Sequence, residues 1–290
     1  PAAHFQQAAD ILSDMLMHPA FDPQEIEKER EVVFNEIRMY HDQPDRYLTK
    51  IMFQTVYRAH PYRIPIIGFE ELLRPLARDD FLSYYKRHYA PNNMVVAVAG
   101  GVSSDEAVNV IEKFFGDYPP GSFTLRAVPS EPRQITERVV EEYYPTDLIR
   151  VSAAYAGVDI LNPDMAALDA LAMILGQGRG SRLYVSLVDD LKIAHAVSAS
   201  NFTPKDQGVF EIRVSSDQDQ VPAILKEIDR QVDLIARKGV SKRELEKAVN
   251  NTLKSLLMEF QTSSDTAYRT ALDEAVTGAH DFTSRSEDVV

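Results

Sequence analysis

Residues 21–40 read FDPQEIEKEREVVFNEIRMY, and the rest of the chain is organised around this stretch. Asp22 is a side-chain acceptor placed to cap free N–H groups, Pro23 suits the first helical position, and Glu25 stands three residues after the cap. The stretch therefore reads as one amphipathic helix. Glu29 and Glu36 within it are seven residues apart. At ~100° per residue that is close to two full turns, so both carboxylates share one side of the rod. Val32, Val33 and Tyr40 fall near the same side, which predicts a stripe that packs inward. A carboxylate on such a stripe needs a cation, a donor or a metal. Taken alone, two glutamates on a charged helix read first as solvated surface charges.

Composition narrows the possibilities. A chain of 290 residues is long for one core and comfortable for two domains. Its 44% hydrophobic and 26% charged residues are those of an ordinary globular protein. No apolar run reaches the roughly 18 residues a membrane span needs. A net charge of −13 opposes nucleic acid and anionic membrane as partners, because the field repels phosphates. The absence of cysteine excludes disulfides, thiolate metal sites and a cysteine nucleophile, and fits a reducing and an oxidising compartment equally. Pro1-Ala2-Ala3 runs straight into helical sequence with no leader pattern, which reads as a chain cut from something longer.

The first half reads as largely helical. Phe5, Ala8, Ile11, Leu12 and Met15 recur at helical spacing, Pro44 breaks the second helix, and helices are expected over 46–57 and 79–89. His60-Pro61-Tyr62 opens a loop, with His60 expected to bond backbone. NMVVAVAG at 93–100 is a β-branched apolar run and predicts a strand buried on both faces. Ser103 and Glu106 form a capping box before a helix to Phe115. Four prolines and Gly121 mark 118–132 as the linker.

The second half restarts with strands expected at 138–144, 149–156, 194–202 and 208–215. Helices are expected from Asn162-Pro163 to Leu175, from Ser181, over 220–237, from the Ser241/Glu244 capping box to Phe260, and over 263–278. Residues 176–180 are a glycine-rich turn. It follows a helix and lacks a Gly-Lys-Ser/Thr ending, so a phosphate loop is rejected. One pattern recurs. The apolar run at 93–100 leads into Val102-Ser103-Ser104-Asp105 and a helix, and Phe210 to Val214 leads into Ser215-Ser216-Asp217 and a helix. These features predict an α+β fold of two related domains, each an antiparallel-rich mixed sheet with helices packed on one face.

Glu27-Lys28-Glu29-Arg30-Glu31-Val32-Val33 followed by Glu36-Ile37 resembles the helix that supplies the third zinc ligand in pitrilysin/insulinase-type (M16) metallopeptidases, in particular the bacterial and processing-peptidase-like branch. His60-Pro61-Tyr62 with Pro65 and Gly68, the run from Tyr84 to Met94, and Leu175-Gly176 to Ser181-Arg182-Leu183-Tyr184 are similar to further segments of that family, in the same order over most of the chain. The resemblance implies a zinc metalloendopeptidase acting on peptides. In such enzymes an inverted His-x-x-Glu-His motif and one distant glutamate hold Zn²⁺ with a water, and the motif's own glutamate takes the proton. It implies Glu36 as the metal ligand and Glu29 as the acidic residue that orients the catalytic site. It divides the chain into 1–132, the C-terminal portion of a first M16-like domain, and 133–290, a second one incomplete at its C-terminus.

Two departures qualify the resemblance. No His-x-x-Glu-His occurs in the 290 residues, so the chain offers one zinc ligand and no general base, and is expected to be inactive alone. The family's substrate-gripping Arg and Tyr correspond here to Val188 and His195. His195 can donate a hydrogen bond to substrate, but Val188 cannot replace a guanidinium. This fits one chain of a homo- or heterodimer with another M16-like subunit. The alternative is a non-catalytic scaffold or partner subunit.

Overall fold

The computed structural model describes residues 2–122, 127–217 and 219–285. In chain order its elements are α1 (Phe5–Met17), α2 (Pro23–Asp42), α3 (Pro44–Val56), α4 (Glu70–Leu73), α5 (Arg78–His88), α6 (Ser104–Phe115), β1 (Ile149–Ala156), α7 (Met165–Gly176), a π-helical turn (Tyr184–Asp190), β2 (Ala196–Phe202), β3 (Val209–Ser216), α8 (Val221–Lys238), α9 (Lys242–Met258), α10 (Ser263–Thr277) and α11 (Phe282–Arg285). The chain divides into two compact units built from interleaved segments. One takes 1–38, 67–127 and 257–284; the other takes 39–66, 128–256 and 285–290. The change of unit at 127/128 falls in the proline-bearing stretch expected as the linker, part of which lies outside the described residues.

The fold is α+β, and its sheet belongs to the second unit. The strand order is β1-β3-β2, antiparallel throughout. Register sets Val151 and Val197 against Val214, and Ala153 and Ala199 against Ile212. These side chains share one face with Phe210. They form the core with Ala172 and Leu175 of α7, Leu187 of the π-helical turn, and Ile224 and Ile228 of α8. Each fully buried aliphatic side chain there contributes about 1.5–3 kcal/mol. On the opposite face of β3, Met52 of α3 and Tyr57 just after it pack on Val209. Helices on both sides leave Glu211 in β3 buried; its carboxylate accepts from the Ser152 hydroxyl at 2.6 Å and pairs with the Arg213 guanidinium at 2.7 Å. In the same unit His60 is buried, and its Nδ1 accepts the Tyr62 N–H at 3.2 Å.

Two expected strands are corrected. Residues 138–144 form no strand, because long-range ties hold the segment elsewhere. Arg138 donates to the Thr55 and Val56 carbonyls at 2.9 and 2.7 Å, and the Tyr144 hydroxyl donates to the His41 carbonyl at 2.8 Å. Residues 93–100 form no ladder either, and three of their valines are exposed. No strand among the described residues lies in the first unit to pair with them.

That unit is a set of helices with specific polar ties between its segments. The Tyr85 hydroxyl donates to the Leu16 carbonyl at 2.9 Å, and Asp273, buried, accepts from both the N–H and the hydroxyl of Thr283 at 2.8 Å. Both clusters of buried hydrophobic residues lie in the second unit.

Candidate functional site

Asp22 caps α2 as its position predicts. Its Oδ1 accepts from the N–H groups of Gln24 (2.8 Å) and Glu25 (3.3 Å), two of the donors a helix start leaves free. The residue before it, Phe21, has a left-handed φ of 44°, a costly conformation for an aromatic residue. Arg78 holds it there by gripping the Phe21 and Ala20 carbonyls at 2.7 and 3.0 Å. Further along, the nearly buried Arg30 donates to the carbonyls of Leu73, Arg74 and Leu76. These ties fix the helix about its axis.

The buried side of α2 is carried by Phe34 and Ile37. Glu29 and Glu36 share one side, but that side is exposed, and so are Val32 and Tyr40. The inward stripe expected from Val32, Val33 and Tyr40 is therefore corrected. At ~100° per residue, Ile37, Arg30 and Phe34 lie about 80–140° around the helix from Glu29, and the Arg30 ties turn that sector inward. Glu29 lines an apolar cavity of about 470 Å³ whose walls include Phe21, Ile26, Val33, Phe34, Leu73 and Phe81. No cation or donor among the described residues meets either carboxylate.

A catalytic zinc takes three protein ligands and keeps a fourth position for water. α2 offers Glu36, and the described residues contain no group of three or more His, Asp or Glu placed to hold a metal. The residues present do not fit a complete zinc centre.

In the second unit, Gly176 ends α7 against β2, and the Ser181 hydroxyl donates to the Gly178 carbonyl at 2.8 Å. Arg182, next along, makes a two-point pair with Glu244 at 2.6 and 2.9 Å. The Ser241/Glu244 capping box at the start of α9 closes with the Ser241 N–H at 2.8 Å and the Glu244 N–H at 3.3 Å. Arg182 holds the Glu244 carboxyl down at about 2. Val188 packs on the core. His195 is half-exposed, and its Nε2 lies 3.1 Å from Asp217 Oδ1. Asp217 comes from the second Ser-Ser-Asp copy. The two copies differ in use: Ser103 caps α6 by accepting the Glu106 N–H, whereas Ser216 donates to the Ile193 carbonyl and α8 starts without a side-chain cap.

Glu227 carries no signal of its own in the sequence. It is buried on α8 and accepts from Ser186 of the π-helical turn, from Gln231 (2.8 Å) and from Arg230 (2.6 and 2.7 Å). The Arg230 guanidinium leads in bringing its carboxyl from 4.5 down to about 2. A depressed folded value means stability that is present above the unfolded value and lost as pH falls through the folded one. Glu227→Gln is therefore expected to cost about 1–3 kcal/mol at pH 7. The difference from wild type should narrow below about pH 5 and largely vanish near pH 2. Urea midpoints at pH 7 and pH 3 test this; an equal difference at both rejects the charged network.

Comparison with known proteins supplies the remaining findings. Residues 75–252 match the family model described as Peptidase M16 inactive domain, and residues 1–70 match that described as Insulinase (Peptidase family M16). The chain is 27% identical over 277 residues to an uncharacterized zinc protease of Bacillus subtilis, covering 96% of this chain and 67% of that protein. It is also 27% identical to a probable mitochondrial-processing peptidase subunit beta of Arabidopsis thaliana, covering 91% of this chain and 52% of the relative. A solved protease structure from Helicobacter pylori superposes with a TM-score of 0.86 at 26% identity, covering 97% of this chain and 70% of that one. The chain thus spans about half to two thirds of the length of the curated relatives it matches.

Proposed function

Because the chain belongs to the M16 (insulinase-type) peptidase family, we propose that it is the part of a zinc-dependent metalloendopeptidase that contributes Glu36 as one metal ligand, and that it does not hydrolyse peptides by itself. One observation carries the reading: Glu36 stands exposed on the same side of α2 as Glu29, unmatched by any cation or donor of the described residues. A ligand carboxylate needs that freedom, and a second acid beside it can orient what binds. The remaining ligands and the general base come, in this reading, from polypeptide outside the 290 residues. The division into 1–132 and 133–290 as parts of two M16-like domains belongs to the same proposal.

Peptides are the proposed substrates, and a second M16-like subunit is the proposed partner, since one relative is named as a subunit of a processing peptidase. His195, held by Asp217, is proposed to contact substrate. One observation favours the scaffold alternative: the longer of the two family matches is to a model described as an inactive domain.

Calorimetric titration of the chain with zinc tests the proposal. Weak binding without a 1:1 step is expected. Tight stoichiometric binding, abolished by Glu36→Gln, would show that a complete centre already exists.

A further inference from the structure

α3 carries two cations to which the rest of the chain gives no counter-ion. Arg46 and Lys50 stand one turn apart on it, in a chain with 44 acidic residues against 31 lysines and arginines. Among the described residues neither meets a carboxylate. Asp45, the acid beside them, turns instead to Arg150 of β1 at 2.9 Å. Like charges at this spacing repel, and Arg46 lies in the first turn of α3, where the helix dipole disfavours a cation.

Both charged heads are nevertheless held in place. The Arg46 guanidinium lies over the Tyr40 ring, 4.3 Å from its centroid. Lys50 Nζ lies 5.7 Å from the Tyr47 centroid and donates to His41 Nε2 at 3.5 Å. Tyr47 packs in turn on Tyr144, with ring centroids 5.2 Å apart, and the Tyr144 hydroxyl is tied to the His41 carbonyl. All of these residues belong to the second unit. The two heads thus lean toward consecutive residues, Tyr40 and His41, in the last turn of α2. Stacking occupies the face of a guanidinium and leaves its edge N–H groups free, and Arg46 makes no hydrogen bond among the described residues. Lys50 keeps two further donors.

A planar fork beside an ammonium is a donor set for one carboxylate, and the acid-rich chain around it opposes a multiply charged phosphate more than a single carboxylate. We propose that Arg46 and Lys50 form a binding site for the aspartate or glutamate side chain of a peptide, with the rings of Tyr40 and Tyr47 contacting the peptide that flanks the acid. As a substrate subsite the pair rests on the peptidase reading above. Binding itself needs neither zinc nor cleavage, so the two can fail separately.

Nuclear magnetic resonance titration of the whole chain, without metal, tests this with a short peptide that carries two glutamates and blocked, neutral ends. In low salt the amide signals of 46–50 should shift saturably with a Kd of roughly 0.1–1 mM, weakening about tenfold when salt is raised to about 0.2 M. The same peptide with glutamine in place of glutamate should leave those signals unmoved. Free acetate, which has no flanking chain to lay on the rings, should bind at least ~10-fold more weakly. Arg46→Gln combined with Lys50→Gln should weaken peptide binding by at least ~10-fold. The double variant removes a like-charge pair, so its thermal midpoint should not fall. Lys226→Gln, at an exposed cation of α8, should leave binding unchanged. The proposal is overturned if the glutamate peptide gives no saturable shift at 46–50, or if the double variant binds it as wild type does. It is equally overturned if the glutamine peptide or acetate binds as well as the glutamate peptide.

Discussion

Replacing Gly176 by alanine is expected to destabilise the second unit by about 3–5 kcal/mol, a large fraction of the 5–15 kcal/mol by which domains are typically stable. Gly176 is the last residue of α7 and is buried against β2. A methyl group there would stand 2.7 Å from the Ala199 Cβ and 2.7 Å from the Ser198 carbonyl carbon. Neither obstacle is the end of a flexible side chain. Ala199 pairs with Ile212 midway along the β2–β3 ladder, so β2 cannot retreat without loosening that ladder. α7 cannot retreat without uncovering Leu175 and Ala172, both of which belong to the core. Overpacking usually costs about 1–3 kcal/mol, and backbone on the opposing side places this case above that range. Gly178, two residues on, supplies the control. A Cβ there meets nothing within 4 Å, but its φ is +80°, so Gly178→Ala should cost only about 1 kcal/mol of backbone strain. Urea unfolding followed by circular dichroism reads both variants. Equal midpoints for Gly176→Ala and wild type would mean that the helix–strand approach is looser than described.

The same contrast between local and distant causes explains what could be read from the sequence. β1 lies where a strand is expected at 149–156, and the caps at Asp22, Ser103 and Ser241 form at the residues their spacing predicts. Those signals are carried by residues within a few positions of each other. The runs at 93–100 and 138–144 have strand composition, yet a strand exists only by its ladder, and a ladder needs a partner that composition does not name. The orientation of α2 has a similar origin. A helical wheel puts Glu29 and Glu36 together correctly. Which sector faces inward is decided by carbonyls of Leu73, Arg74 and Leu76, more than forty residues away, gripped by Arg30. Glu227 was invisible because its neighbours on α8 read as an ordinary polar face, and Ser186, forty-one residues upstream, makes it a buried anchor.

That outward orientation makes the consequence for Glu36 testable. If the chain is joined to a segment bearing the inverted His-x-x-Glu-His motif and the whole binds zinc, Glu36→Gln should lower metal affinity by two orders of magnitude or more, roughly the cost of losing one charged ligand of three. Zinc content by mass spectrometry and cleavage of an unfolded reporter peptide should fall together. Glu29→Gln should leave zinc content near wild type and lower activity by about 10–100-fold, the usual effect of removing a group that orients a ligand. The chain's own fold provides the control for both variants. Each carboxylate is exposed and makes no hydrogen bond among the described residues, so neither substitution should move the thermal midpoint of the 290-residue chain by more than about 1 °C, as for surface changes away from packed features. A Glu36→Gln protein that keeps both its zinc and its activity would remove Glu36 from the metal. The exposed pair on α2 would then be the solvated charges that an isolated helix of this composition carries, and the scaffold alternative would be the better account of the chain.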